Sequence, residues 1–528
     1  MADKRRFPLG IQTFSEIIEG NYLYVDKSEY VYNLTHQYKY VFLSRPRRFG
    51  KSLLASTFRS YFEGRKELFD GLKAGEMEKD WEKYPVFHFN MSTAKYTDIE
   101  DTKNRLNAMI CDYEAVYGED AYNKDIKGRL QSLFKRAHQQ MGKPVVILID
   151  EYDSPMLEVM HDPKKLADFR NLFRSFYSPI KDCDEHIRFA FITGISKFSQ
   201  LSIFSEINNL KKISMLDAYD AVCGIAKDEA LSQLRPQIQE FADAKEWTFD
   251  EAVEKLTLQY DGYHFSENSR DIFNPFSLLN ALNDKKLYSY WFDSGTPSWL
   301  IKQLKKFDFK IEQLEGAKTA TTDFDAPTEG MTTAFPLLYQ SGYITIKDYN
   351  KKQELYTLAV PNNEVRIGLY RSLIPFYLAP DTRESNVFIA NFGVCLQDDQ
   401  LDEALRLMRS FIGGIPYDYM QEKEKSYHLI FFLIARLLCQ FVDSEVRSSA
   451  GRSDMVLKTP THIYVFEFKF QGKLDKALLQ IDEKGYLIPY ECDRRQLVKV
   501  AVNFSTEGRT IDGWAIDRGN GADYTVFE

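Results

Sequence analysis

Four short, mainly apolar runs punctuate the first part of the chain, at 40–44, 85–90, 145–149 and 186–193, and each reads as a β-strand. Between them, 102–117 and 125–141 carry apolar residues at helical spacing. Near-continuous apolar strands separated by helices predict a parallel sheet covered on both faces. The pattern becomes mainly helical over 226–290, with Asp228 as the expected N-cap of its first helix. Over 291–384 a helix at 335–340 leads into a strand at 343–347, a polar turn at 348–353 and a returning strand at 354–359. This order resembles a winged helix, and 316–330 reads as a loop. From 385 onward, helices are expected at 402–411 and 422–441, and strands at 453–457 and 463–470. A helix at 474–486, a strand at 497–504 and a partner strand near Trp514 follow. The fold class is therefore α/β, with four expected regions: 1–225 a P-loop-type sheet domain, 226–290 a helical lid-like region, 291–384 a winged-helix-like region, and 385–528 a second α/β domain.

The first strand runs into Ser44-Arg-Pro-Arg-Arg-Phe-Gly-Lys-Ser52, and a helix follows. A phosphate-binding loop needs backbone N–H groups around the phosphates, a lysine reaching them and a hydroxyl for magnesium. Gly50, Lys51 and Ser52 supply that end of the motif, and the helix N-terminus adds a favourable dipole. Arg45 stands where such loops usually have glycine. Arg47, Arg48, Phe49 and Leu53 complete the expected nucleotide-contacting set. The run 145–149 ends in Asp150-Glu151, with Asp150 expected in the magnesium shell alongside Ser52, and Glu151 as the group that orients or deprotonates the attacking water. Thr193, ending the next strand, is the candidate sensor of the γ-phosphate, or a hydroxyl capping the turn at Gly194. Arg47, Arg48, Arg170 and Arg174 are candidate arginine fingers that spacing does not separate. The competing readings are a basic surface loop for Gly50–Ser52 and a strand-end cap for Asp150 and Glu151.

Near the C-terminus, Ile463-Tyr-Val-Phe-Glu-Phe-Lys-Phe470 alternates with period two. Tyr464, Phe466, Phe468 and Phe470 share one face; Glu467 and Lys469 share the other with Ile463 and Val465. A carboxylate and an ammonium on an otherwise apolar strand are costly unless paired or metal-bound. Asp454 precedes a short strand that returns through Thr459-Pro-Thr461, so a hairpin brings Asp454 toward Glu467. Paired carboxylates bind Mg²⁺ through oxygen, and such a metal activates water and stabilises charge on phosphate. Lys469 then positions the nucleophile or the transition-state phosphate, Glu424 completes the metal shell, and Gln480 orients the site. The competing readings are a surface ion pair for Glu467 and Lys469 and a solvated helix start for Glu424.

Composition narrows the classes. The chain has 528 residues, 44% of them hydrophobic, with 39 Phe and 32 Tyr, enough for several cores. Net charge −9 argues against non-specific coating of nucleic acid. Acidic residues also outnumber basic ones from 381 onward, so a nuclease there would grip its substrate weakly unaided. The six cysteines are dispersed, which fits a reducing compartment. The N-terminus lacks a signal-peptide pattern. The longest apolar stretch, 429–442, carries Arg436 and is too short to span a membrane; a cytoplasmic protein is expected.

Tyr24-Val-Asp-Lys27, the 44–53 loop, Ile149-Asp-Glu-Tyr-Asp153, Thr193-Gly-Ile-Ser196 and Ser205-Glu-Ile-Asn-Asn209 together resemble the AAA-ATPase-like family of bacterial proteins. Tyr260-Asp-Gly-Tyr-His264 and Asn274-Pro-Phe276 extend the likeness. In that family the Arg-Pro-Arg-Arg-Phe-Gly-Lys-Ser loop is usual, so Arg45 is no sign of decay. Members typically carry a C-terminal domain of the PD-(D/E)xK nuclease superfamily, whose motif positions match Asp454, Glu467 and Lys469. The resemblance implies ATP and Mg²⁺ as cofactors, Lys51 and Ser52 on nucleotide, Asp150 and Glu151 serving magnesium and hydrolysis, and residues 24–27 near the base. The expected function is ATP hydrolysis coupled to Mg-dependent cleavage of nucleic acid, DNA foremost, in defence against foreign DNA or mobile-element biology. Two alternatives stand beside it: a nucleotide-switched binding module whose C-terminal domain does not cut, and an ATP-driven remodeller acting as a homo-oligomer.

Overall fold

The computed structural model describes residues 5–92, 96, 98–160, 162–196, 210–293, 304, 307, 309, 314, 316–320, 331, 333–377, 382–414, 434, 455–505 and 510–526. The described residues form two compact units, one ending at Asn362 and the other beginning at Asn363.

The first unit is built on five parallel strands, β1 (Tyr40–Ser44), β2 (Val86–Asn90), β3 (Val145–Asp150), β4 (Ile187–Gly194) and β5 (Lys211–Lys212), in the order β2-β3-β4-β1-β5. All residues of β1 and β3 are buried, as expected for central strands with helices on both faces. Phe42, Ile147, Ala190 and Ile192 face a core filled by Leu130, Leu133, Phe134 and Phe173 of helices Ile126–Met141 and Pro163–Tyr177. On the opposite face, Phe58 of helix Lys51–Phe62 meets Phe189 and Phe191 at ring-centroid distances of 5.2 and 4.8 Å. Asp98, Asp125 and Asp162 cap the helices that follow them by accepting backbone N–H groups.

Five helices lie within 226–293. The first begins at Lys227, not after Asp228, and it is the Glu229 carboxylate that accepts the Ala226 N–H. Thr248 and Glu251 form a reciprocal capping box on helix Phe249–Tyr260. A two-stranded pair, β6 (Ile225–Ala226) with β7 (Ile272–Phe273), ties the region to the end of the sheet domain. The helix–hairpin order is present as helix Phe335–Ser341, β9 (Thr345–Asn350) and β10 (Leu355–Ala359). Two details differ from the sequence pattern: β9 runs through the polar positions 348–350, and Lys318–Ala320, expected as loop, is a strand, β8, paired with β10. Backbone pairing with a neighbour sets both, so side-chain polarity is a poor guide there.

The second unit holds a mixed sheet, β11 (Met455–Lys458), β12 (His462–Phe470), β13 (Gln496–Phe504), β14 (Ile511–Asp517) and β15 (Ala522–Val526), paired in that order. Only β12 and β13 are parallel, joined by helix Leu474–Glu483 on one face. Helices Thr382–Gln397 and Leu401–Gly413 lie on the other, where Tyr464 donates to Asp399 at 2.8 Å and Trp514 to Asp402 at 2.9 Å. The helix expected at 422–441 lies outside the described residues, apart from the isolated position 434. Among the described residues no helix is long and apolar enough to cross a membrane.

Candidate functional site

β1 delivers the chain into a tight loop closed by Gly50, whose φ of 93° suits a residue without a Cβ, and helix Lys51–Phe62 begins on the next residue. Arg48 (φ 67°) is also left-handed. The loop is held from behind. Arg45, 2% exposed, donates to the carbonyls of Ser44, Ser214, Tyr219 and Asp220 at 2.7–3.3 Å and lies 4.1 Å over the Phe265 ring. The residue that departs from the usual glycine is thus a strut beneath the loop and points away from any ligand. Phe49 is likewise turned inward, edge-on to Tyr263 and Phe265 at 4.8 and 5.3 Å. The Tyr260–His264 motif therefore supports the loop.

Outside the loop lies a cavity of about 370 Å³, lined by Arg47, Arg48, Gly50, Lys51, Ser52, Leu53 and Glu151, within the size range of small-molecule sites. Phe49 does not line it. It lines an adjoining apolar cavity of about 90 Å³ with Tyr24, Val25 and Lys27. Lys27 is ion-paired with Glu229.

Strand β4 lies between β1 and β3, so Thr193, opposite Leu43, stands one position beyond the Ile149–Ile192 pair that precedes Asp150. Asp150 and Thr193 are fully buried, and neither the carboxylate oxygens nor the hydroxyl has a hydrogen bond of ordinary geometry. Burial pushes the Asp150 carboxyl up to about 6; Glu151 pushes in the same direction, while the Ser52 hydroxyl and Lys51 oppose. Buried polar atoms left unsatisfied are costly, and a hard cation with a phosphate beside Ser52 would satisfy all of them. The donor set fits magnesium and a nucleotide on this ground. Lys51, 3% exposed, lies 3.3 Å from Glu151 Oε1 and donates to the Pro46 carbonyl at 3.2 Å. Glu151 has φ 54°, the strained left-handed conformation that concentrates at functional positions.

Asp153 closes the Ile149–Asp153 motif, and nothing in the sequence pattern assigns it a role. It is fully buried and accepts from Ser196 N–H and Ser196 Oγ, both at 2.6 Å, and from Ile195 N–H at 3.1 Å. It thereby fastens the end of β3 to the turn after Thr193. Gly194 makes room for it, since a Cβ there would fall 2.3 Å from Asp153 Oδ1. The signal available in the sequence was an acidic residue three positions past Asp150, opposite a Thr-Gly-Ile-Ser turn. Arg170 and Arg174 lie on helix Pro163–Tyr177, the second exposed. Ser205–Asn209 lies outside the described residues.

In the second unit, Glu467 and Lys469 do share a face of β12 with Ile463 and Val465, toward helix Leu474–Glu483. That helix presents Gln480, whose amide donates to Glu467 Oε1 while its carbonyl accepts from Lys469 Nζ at 2.6 Å. Lys469 Nζ also lies 3.2 Å from Glu467 Oε1. Three of the expected residues thus form one hydrogen-bonded cluster, with Glu467 3% exposed. The hairpin exists, Met455 pairing with Phe466. Asp454 and Glu424 lie outside the described residues, and among the described residues no group of three or more metal-ligating side chains occurs.

Comparison with known proteins matches both regions. A family model described as predicted AAA-ATPase covers residues 8–204, and one of the PD-(D/E)XK nuclease superfamily covers 422–514. An uncharacterized protein in the vnfD 5′ region of Azotobacter chroococcum mcd 1 is 31% identical over 528 residues, spanning 97% of this chain and 99% of that protein. No solved structure matches.

Proposed function

From the premise that this chain belongs to the family of AAA-ATPase-like proteins carrying a PD-(D/E)XK nuclease superfamily domain, we propose that it hydrolyses ATP in the first unit and uses that cycle to license Mg-dependent cleavage of DNA in the second. The observation that carries the first half is the buried, unsatisfied pair Asp150 and Thr193 beside Ser52. Lys51 leaves Glu151 for the phosphate oxygens when nucleotide enters, and the freed Glu151 orients the attacking water and accepts its proton. Thr193 donates to the γ-phosphate. Magnesium, held by Ser52 and Asp150, would neutralise charge on the phosphates. Arg47, Arg48, Gly50 and Leu53 shape the nucleotide cavity.

In the second unit Glu467, with Asp454 and Glu424, would hold the metal that activates water. Lys469 stabilises the phosphate, and Gln480 keeps both side chains aligned. Asp454 directly precedes Met455, whose strand partner Phe466 is the neighbour of Glu467, which supports the pairing of the two carboxylates. A cytoplasmic role in defence against foreign DNA or in mobile-element biology is proposed by analogy of architecture only.

The test is ATP turnover and DNA cleavage by the purified chain and by Asp454→Ala and Lys469→Ala. Cleavage should vanish in both variants while ATP binding persists; normal cutting by both refutes the nuclease half. The acidic excess from 381 onward favours a second reading, a C-terminal domain that binds without cutting. Titration with Mn²⁺ followed by calorimetry separates the two, because a non-cutting module shows no binding that depends on Glu467.

A further inference from the structure

A second cavity, about 330 Å³, lies on the other side of Ser52 from the nucleotide cavity; the two share only Gln12 and Ser52 among their lining residues. Every side chain lining it is polar or charged. Its inner end is the buried Asp150, and at its other end stands Arg59, whose side chain is 54% exposed. One wall is a single stripe of helix Lys51–Phe62, Ser52, Ser56 and Ser60 at i, i+4 and i+8. The facing wall is β2, through His88 and Asn90, the latter opposite Asp150 in the strand register. A helix packed on a sheet ordinarily fills this space with apolar side chains. Three short hydroxyl side chains leave it open instead. Its polar lining makes it a place for water or a small oxyanion.

We propose that this cavity is a rear exit for inorganic phosphate, which leaves past Ser56 and Ser60 toward Arg59 while ADP still occupies the front cavity. The inference rests on ATP hydrolysis at the front site. Ser56 and Ser60 keep the path open by the small size of their side chains, and the Arg59 guanidinium, paired with Glu63 at 2.7 Å, meets the departing ion at the mouth. The His88 Nε2 atom is buried without a hydrogen bond, and burial with the nearby Arg59 charge lowers its pKa to about 4, so it lines the path as a neutral group.

The experiment uses the full chain in single turnover, reading bond cleavage by acid quench and free phosphate by a fluorescent phosphate-binding sensor. Ser60→Leu and His88→Phe narrow the path; Ser60→Ala removes the hydroxyl without narrowing it. In wild type and Ser60→Ala, release keeps pace with cleavage. In the two narrowed variants, cleavage stays within about twofold of wild type and release lags it by about tenfold or more. Release that keeps pace in both narrowed variants, or an equal lag in Ser60→Ala, overturns the exit. A variant-free arm covers misfolding: with phosphate leaving first, added inorganic phosphate inhibits the wild type noncompetitively against ATP, whereas competitive inhibition contradicts a rear exit. Absence of ATP cleavage in the wild type would instead remove the function on which the exit rests, so the two failures are distinguishable.

Discussion

Replacing Asp150 by asparagine isolates what the buried carboxylate does. In the folded protein its pKa rises from 3.8 to about 6, chiefly through burial, and a rise of that size disfavours the charged form by ~3 kcal/mol. The folded chain therefore retains a proton at pH values where the unfolded chain has released it. The contribution of Asp150 to stability is most favourable below about pH 4 and is lost as pH rises through 6. At pH 8 the nucleotide-free wild type carries nearly the whole penalty. Asparagine removes the charge but still buries an amide, which takes back part of the gain. A net stabilisation of ~1–2 kcal/mol at pH 8, shrinking toward zero at pH 5, is the expected result. Denaturant unfolding at both pH values, followed through the transition of the first unit, measures it. The same variant should gain nothing from Mg-ATP, while the wild type is stabilised in proportion to ligand occupancy. A variant less stable than wild type at pH 8 without nucleotide refutes the reasoning, because the carboxylate would then be an internal cap and not a vacant ligand.

Other substitutions divide the parts. Glu151→Gln should slow ATP hydrolysis by about 10²–10⁴-fold, the scale of a lost general base, with nucleotide still bound in a filter assay. Arg45→Met removes one donor from each of four carbonyls and should destabilise the first unit by ~3 kcal/mol or more, seen as an earlier unfolding transition. Asp153→Ala should lower turnover more than ATP affinity, since it frees the turn after Thr193; equal loss of both in kinetics would assign it to the fold alone. Glu467→Gln should abolish DNA cleavage and leave ATP turnover within about twofold in a coupled assay.

The central strands of both sheets were legible because burial on two faces forces runs such as Val145–Ile149, which few other structures tolerate. The edge strands at the other end of each sheet from Val86–Asn90 and Met455–Lys458 were not. Lys211–Lys212 joins the first sheet through backbone pairing with Val41 and Phe42 alone, and Ala522–Val526 is largely exposed on the rim of the second. The phosphate loop was readable as a motif, and so was the placement of Glu467, Lys469 and Gln480, which follows from strand alternation and one helix. Arg45 and Phe49 were visible as residues but not as supports, since their partners, Ser214 to Asp220 and Tyr263 to Phe265, lie far away in sequence. The serine stripe of the loop helix takes its place as a cavity wall only through β2, which is distant in sequence and faces it.

The most direct test of the coupled reading is a time course of duplex DNA cleavage by the full-length protein in Mg²⁺, with and without ATP, beside Lys469→Ala. The account predicts cutting that requires ATP and is absent from the variant. Cutting that proceeds equally without nucleotide, or that survives in Lys469→Ala, contradicts it.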